Sequence, residues 1–169
     1  LPTDEQERLS YRVFFPEEMP SSTFTTQTIP LTEIFYITKG MVVHADEKVA
    51  RGAFQMEDLV VNEQDDLHPK PFVEGKHLDR WLPTIHKWLE WGSERAPTLF
   101  SRPTFPELYD TGEKILVQRS PGPDPKACYD DQRLYFTESS VGFIRWQNLT
   151  GIRNRSLQKT ARYADEKRR

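Results

Sequence analysis

The sequence predicts an α+β fold: a twisted, largely antiparallel β-sheet carrying a few short helices. Three observations lead there. Apolar residues fall in short runs bounded by turn residues, several of them rich in β-branched and aromatic side chains. Thirteen prolines against 8 glycines make the chain too proline-rich for a helical bundle. Helical spacing is sustained in only one short stretch before the C-terminal tail.

In chain order, residues 1–29 are polar, with Pro16, Pro20 and a Ser/Thr run from Ser21 to Thr28. They read as a linker from an upstream domain, with one apolar patch, Tyr11 to Phe15, as a possible strand. Leu31, Ile34, Phe35 and Thr38 sit at helical spacing, and Gly40 follows as the stop. Met41-Val42-Val43 is then a short strand, with Gly40 expected to take a left-handed conformation at the corner. Phe54 to Val61 reads as a strand or turn leading into a loop, and Ile85 to Trp91 as an aromatic-rich strand. Pro97, Pro103 and Pro106 limit regular structure, with one helical turn over Phe105, Leu108 and Tyr109. Lys114 to Arg119 is the clearest strand, and Pro121-Gly122-Pro123-Asp124-Pro125 forces a loop after it. Cys128-Tyr129, Leu134-Tyr135-Phe136 and Val141 to Trp146 are three further strands. Residues 153–169 form a basic tail, expected to be helical and to lead into further sequence.

At 169 residues, with 36% hydrophobic and 29% charged, the chain suits one domain with a sizeable core, assigned to residues 30–152. Its 4 tryptophans, 6 tyrosines and 10 phenylalanines must be largely buried or used as contact surface, and the tryptophans are expected mostly in the core. No stretch reaches the roughly 18 apolar residues of a membrane span. The N-terminus shows neither a secretory pattern nor an initiator methionine, so the chain reads as a fragment. The single cysteine, Cys128, allows no internal disulfide and no cysteine-rich zinc site. It reads as a structural thiol, and a reducing cytoplasm is the simplest compartment.

Few motifs carry chemistry. No glycine-rich phosphate or cofactor loop is present, nor an Asn-Pro-Pro-Tyr segment, nor a nucleophile elbow around any serine. His44, His68, His77 and His86 are too scattered for a two-histidine metal helix. Asp66 followed by Glu74-Gly75-Lys76 fits the order of a metal-dependent nuclease, in which two carboxylates hold Mg²⁺ and a lysine positions water. Yet Asp66 lies in an acidic loop, and Pro69 and Pro71 interrupt the hairpin such a site uses; a solvated loop is the preferred reading.

Basic and aromatic segments lead elsewhere. Net charge is −3, against a free-standing nucleic-acid binder, but its distribution is uneven. Acids crowd 4–18 and 57–66; bases gather at Lys76 to Arg80, at Arg95 and Arg102, and from Arg153 onward. Lys76-His77-Leu78-Asp79-Arg80-Trp81, Ser101 to Phe105 and Gln118-Arg119-Ser120 set cations beside hydrogen-bonding or aromatic side chains. Arginine bridges guanine bidentately, glutamine reads adenine, and lysine meets phosphate.

The order of these segments resembles a known family. Leu31 to Met41 resembles the opening of restriction–modification recognition domains. Pro71-Phe72-Val73-Glu74-Gly75-Lys76-His77-Leu78-Asp79-Arg80-Trp81 resembles their Gly-Lys-Asp-Ile-x-Arg-Tyr segment. Arg102 to Tyr109 followed by Lys114 to Arg119, then Tyr129-Asp130-Asp131 and Asn154-Arg155-Ser156, are similar to later positions. Together they resemble the TaqI-like C-terminal specificity domain over roughly residues 30–160. His77 stands where an acid is usual, Trp81 where tyrosine is, and Glu74 where a base is common.

The resemblance implies a domain that contacts the major groove of double-stranded DNA. A catalytic domain of the same protein, with or without a fused endonuclease, would flip and methylate an adenine using S-adenosylmethionine. It implies no catalytic residue, metal or cofactor in this chain. Lys39, Lys76, Arg80, Arg102, Gln118 and Arg119 are then expected at the DNA face: Lys39 and Lys76 on phosphates, Arg102, Gln118 and Arg119 on bases. Gly40 and Gly75 are expected to be architectural. Besides the nuclease of Asp66, Glu74 and Lys76, the rival reading is a protein-interaction module using Trp88 or Trp91.

Overall fold

Alternating burial along short strands builds the domain. A computed structural model describes residues 29–83 and 87–149. The chain divides into two units after Pro30, and every strand named below lies in the second.

Among the described residues ten strands form three sheets. The largest joins β1 (Phe35–Lys39), β10 (Ser140–Arg145), β7 (Lys114–Gln118) and β8 (Ala127–Asp130) in the order β1-β10-β7-β8, antiparallel throughout. A two-stranded sheet pairs β2 (Val42–Ala45) with β6 (Phe100–Arg102). The third has the order β3-β5-β4-β9, from β3 (Val60–Val61), β5 (Lys87–Leu89), β4 (Lys70–Val73) and β9 (Tyr135–Phe136). Only its β4–β9 pair is parallel. The described residues hold one α-helix, α1 (Pro106–Asp110), which starts on proline, whose missing N–H costs nothing at a first helical turn. Short 3-10 turns cover Leu31–Glu33, Met56–Asp58, Gly75–His77 and Trp146–Leu149. The class is therefore α+β, mostly antiparallel sheet with few short helices. Among the described residues no helix is long and apolar enough to cross a membrane.

Period-two burial explains the expected strands. In β10, Ser140, Gly142 and Ile144 face in; β7 buries Lys114 and Leu116, and β8 buries Cys128 and Asp130. The core gathers Met41, Phe72, Leu89, Leu108, Leu116, Leu134 and Ile144 around an aromatic cluster. Tyr109 stacks on Tyr135 at 4.7 Å, and Trp91 meets Tyr135 edge-on at 4.9 Å. Both phenols find partners, Thr104 Oγ1 at 2.5 Å and Asp110 Oδ1 at 2.9 Å. Burial pushes both tyrosines above the ordinary phenol range.

Several expectations are corrected. Residues 31–38 are not a helix: one 3-10 turn leads straight into β1. The run Phe35-Tyr36-Ile37-Thr38 is β-favouring, and β10 offers it five residues of ladder, from Phe35↔Arg145 to Lys39↔Val141. Gly40 is needed for close approach rather than for a left-handed turn, since a Cβ there would lie 2.1 Å from the Phe136 carbonyl oxygen. Pro71 does not break the chain's pairing: β4 forms with Pro71 opposite Trp88, and its parallel partner is engaged only from Phe72 onward. Trp81 is not core; it is 80% exposed. Of the Phe54–Val61 stretch only Val60–Val61 is strand, after a 3-10 turn capped mutually by Gln55 and Asp58. The 1–28 part of the expected linker, its Tyr11–Phe15 strand, residues 84–86 and the 153–169 tail lie outside the described residues.

Candidate nucleic-acid interface

A four-residue turn, Thr137 to Ser140, joins β9 to β10 and organises the expected site. The Ser140 amide donates to the Thr137 carbonyl at 2.9 Å, and the Thr137 and Ser139 hydroxyls meet at 2.6 Å. Three other segments are bonded to it. The Met41 amide donates to Phe136 O at 3.0 Å, and the Glu138 amide returns to Met41 O at 3.0 Å. The Gly75 amide donates to Ser139 Oγ at 2.8 Å. The Arg119 amide donates to Ser139 O at 2.9 Å, and its guanidinium reaches Glu138 O at 3.4 Å.

Both expected architectural glycines are explained by this turn. Gly40 packs its backbone on Phe136 and Thr137, and at Gly75 a Cβ would meet Ser139 O at 2.4 Å. Two backbones can approach this closely only where a side chain is missing. Lys39 adjoins Gly40, Lys76 adjoins Gly75, and Gln118 precedes Arg119, so four of the expected residues are gathered around one turn. Register places Lys39 and Gln118 at one end of the largest sheet: Lys39 lies opposite Val141, which lies opposite Val117, and Gln118 opposite Ser140. Lys39 and Val117 are thus one strand apart, roughly 10 Å across the sheet.

The remaining two are set apart. Arg102 lies exposed on β6 opposite Val42, next in sequence to the pinned Met41. Arg80 lies beyond β8, where its guanidinium engages Asp124 in the β7–β8 loop. The outcome at Glu74 settles which way that acid faces. Its side chain is buried, 9% exposed, with Lys76 Nζ at 2.9 Å, His77 Nδ1 at 3.7 Å and Lys87 Nζ at 3.9 Å. It presents little charge to solvent. Burial, with Lys76 and Lys87 beside it, holds His77 below the usual imidazole range although Glu74 pulls the other way.

Of the three residues of the rival nuclease reading, Asp66 is exposed in the loop before β4, whereas Glu74 follows the far end of that strand and pairs with Lys76 at 2.9 Å. Among the described residues no group of three or more His, Cys, Asp or Glu side chains could hold a metal ion. Trp91, offered as a contact residue, is half-buried between Phe100 and Tyr135. Trp88 is half-buried on β5, opposite Pro71 and Val61. Cys128 is buried at 2%, and burial with Asp130 nearby pushes its thiol up to about 11, so it is poorly nucleophilic.

Sequence reasoning missed the turn itself and a buried ion pair at the other end of β7. Lys114 and Asp130 are fully buried, Nζ 2.6 Å from Oδ2. Lys114 also donates to the carbonyls of Tyr109 at 2.9 Å and Thr111 at 3.2 Å. Asp130 accepts from the Gln132 amide at 2.8 Å and the Leu134 amide at 2.9 Å. One pair thereby ties α1, β7, β8 and the approach to β9. Neither a family model nor a curated protein matches the chain.

Proposed function

We propose that this chain is the DNA target-recognition domain of an adenine-modifying methyltransferase of the restriction–modification type. It contacts the major groove and presents the site to a separate catalytic domain, which holds S-adenosylmethionine and with which a nuclease can be fused. The observation that carries the reading is the gathering of Lys39, Lys76, Gln118 and Arg119 around the 137–140 turn. Segments 37 to 80 positions apart converge on this turn, combining phosphate-binding cations with a Gln-Arg pair suited to adenine and guanine edges. The order of segments resembling TaqI-like specificity domains supports the same assignment, and this chain supplies recognition rather than chemistry.

The test is selection of duplexes from a randomised pool by the chain, followed by salt titration of the enriched sequence. Enrichment of a defined site, with affinity falling steeply as salt rises, is expected. Arg119→Ala should cost roughly 1–3 kcal/mol and relax one base-pair preference. Lys39→Ala should weaken all sequences alike and reduce the salt slope by about 1. Absence of both enrichment and salt-dependent binding overturns the assignment.

A further inference from the structure

The indole of Trp81 is 80% exposed, beside Leu82 at 58%. Its φ is +74, a left-handed conformation that a bulky L-residue rarely takes. The backbone there is nevertheless held: the Trp81 amide donates to Ala127 O at 3.0 Å, and its carbonyl accepts from the Tyr129 amide at 2.7 Å. These bonds form a parallel bridge between Trp81 and Cys128. Cys128 is buried and Trp81 is not; the positive φ turns the indole away from the face its bridge partner occupies. Tyr129 adds a second ring, 43% exposed. The Trp81 indole thus stands exposed on a backbone that is hydrogen-bonded in place.

Its surroundings are ionic. Arg80, adjacent in sequence, engages Asp124, with side chains 60% and 59% exposed. Lys126 Nζ lies 3.8 Å from Asp79 Oδ1. Exposed pairs of this kind are weak and readily exchange a carboxylate for a phosphate. Both lie along the β7–β8 loop, which begins where Gln118 and Arg119 end β7. One exposed indole with a cation beside it in sequence forms a smaller apolar surface than the core of a stable protein interface needs. It matches what an unstacked base and its flanking phosphates require.

We propose that Trp81 is a base-stacking residue: its indole covers the face of a nucleobase at an opened step of the duplex, with Arg80 and Lys126 on the adjoining phosphates. This rests on the DNA-recognition reading. The test compares binding of two 30-bp duplexes of one sequence, one intact and one with a single abasic site that leaves a base face open. The wild-type chain should prefer the abasic duplex and lose tryptophan fluorescence on binding it. Trp81→Ala should lower affinity for that duplex by roughly 5- to 100-fold, abolishing the preference, while Trp81→Phe keeps most of it. Trp81→Gly, which suits a positive φ, should unfold no earlier than wild type yet lose the preference, separating stacking from folding. Equal preference in wild type and Trp81→Ala overturns the inference and leaves DNA recognition standing. Unchanged DNA binding with reduced self-association in Trp81→Ala assigns the indole to a protein partner and likewise overturns it. No salt-dependent binding to either duplex overturns both.

Discussion

Breaking the Lys114–Asp130 pair from one side should nearly unfold the domain, whereas altering both sides should cost less than the two single changes together. The structure supplies the reasoning. Both side chains are fully buried and 2.6 Å apart, so Lys114→Met strands a carboxylate and Asp130→Asn strands an ammonium in the core. Removing one partner of such a pair costs about 3–5 kcal/mol, a large part of the roughly 5–15 kcal/mol that stabilises a domain. In Lys114→Met/Asp130→Asn neither charge remains, and the single oxygen of the new carboxamide accepts from only one of the two amides that Asp130 holds on separate oxygens, Gln132 on Oδ1 and Leu134 on Oδ2. The carbonyls of Tyr109 and Thr111 do lose their donor, so some cost persists, at about 1–3 kcal/mol for a buried group left unsatisfied. The double variant should therefore be more stable than the sum of the singles implies by about 2 kcal/mol or more. Urea unfolding followed by tryptophan fluorescence measures this, since Trp91 packs on Tyr135 in the core. Strict additivity would refute the claim that the two charges hold each other.

Two further outcomes follow from the geometry. Gly75→Ala drives a Cβ to 2.4 Å from Ser139 O, a backbone atom that cannot swing aside; a loss of roughly 1–3 kcal/mol is expected. Because the same carbonyl anchors Arg119, DNA affinity should drop even where the variant is fully folded, and an unchanged urea midpoint would contradict the close approach. Burial pushes the Glu90 carboxyl up, but hydrogen bonds from Arg95 and Ser93 outweigh it and hold the group below its usual 4.5. A carboxyl depressed by folding stabilises above its unfolded value and loses that contribution as pH falls through the lower folded value. Stability should therefore decline below about pH 4.5, and in Arg95→Met the Glu90 share of that decline should disappear; identical acid profiles would contradict it.

Much of the sheet was legible because alternation is local. Lys114 to Gln118, Ala127 to Asp130 and Ser140 to Arg145 each carry a period of two that the structure keeps. β1 was misread because Leu31, Ile34, Phe35 and Thr38 satisfy helical spacing equally well. The arbiter, β10, lies more than a hundred residues away. β4 was hidden by Pro71 and β6 by the prolines around it, since those residues argue against strands unless the neighbouring strand is known. The ion pair did leave a trace: period two puts Lys114 in phase with Leu116 and Asp130 in phase with Cys128, both on inward faces. A charge inside a strand is ordinarily read as solvated, so the phase was outweighed. For the site, the residue types at Lys39, Gln118 and Arg119 were legible but their meeting was not. It depends on a Thr-Glu-Ser-Ser turn that reads as any polar connection until three glycine-lined or strand-end segments close on it.

That convergence also orders the candidate cations, which the sequence could not do. Lys76, Arg80 and Lys126 each have an internal carboxylate, in Glu74, Asp124 and Asp79. Moving Arg80 or Lys126 to a phosphate leaves an acid that is already exposed to water, whereas moving Lys76 leaves a buried one. Lys39, Arg102 and Arg119 have no ion pair among the described residues. A phosphate or guanine that engages them displaces no carboxylate. Lys76 was expected as a phosphate contact from the family resemblance of its segment and from its charge. The geometry gives it a prior engagement with Glu74, so Lys39 and Arg119 carry the greater share of the proposed DNA face.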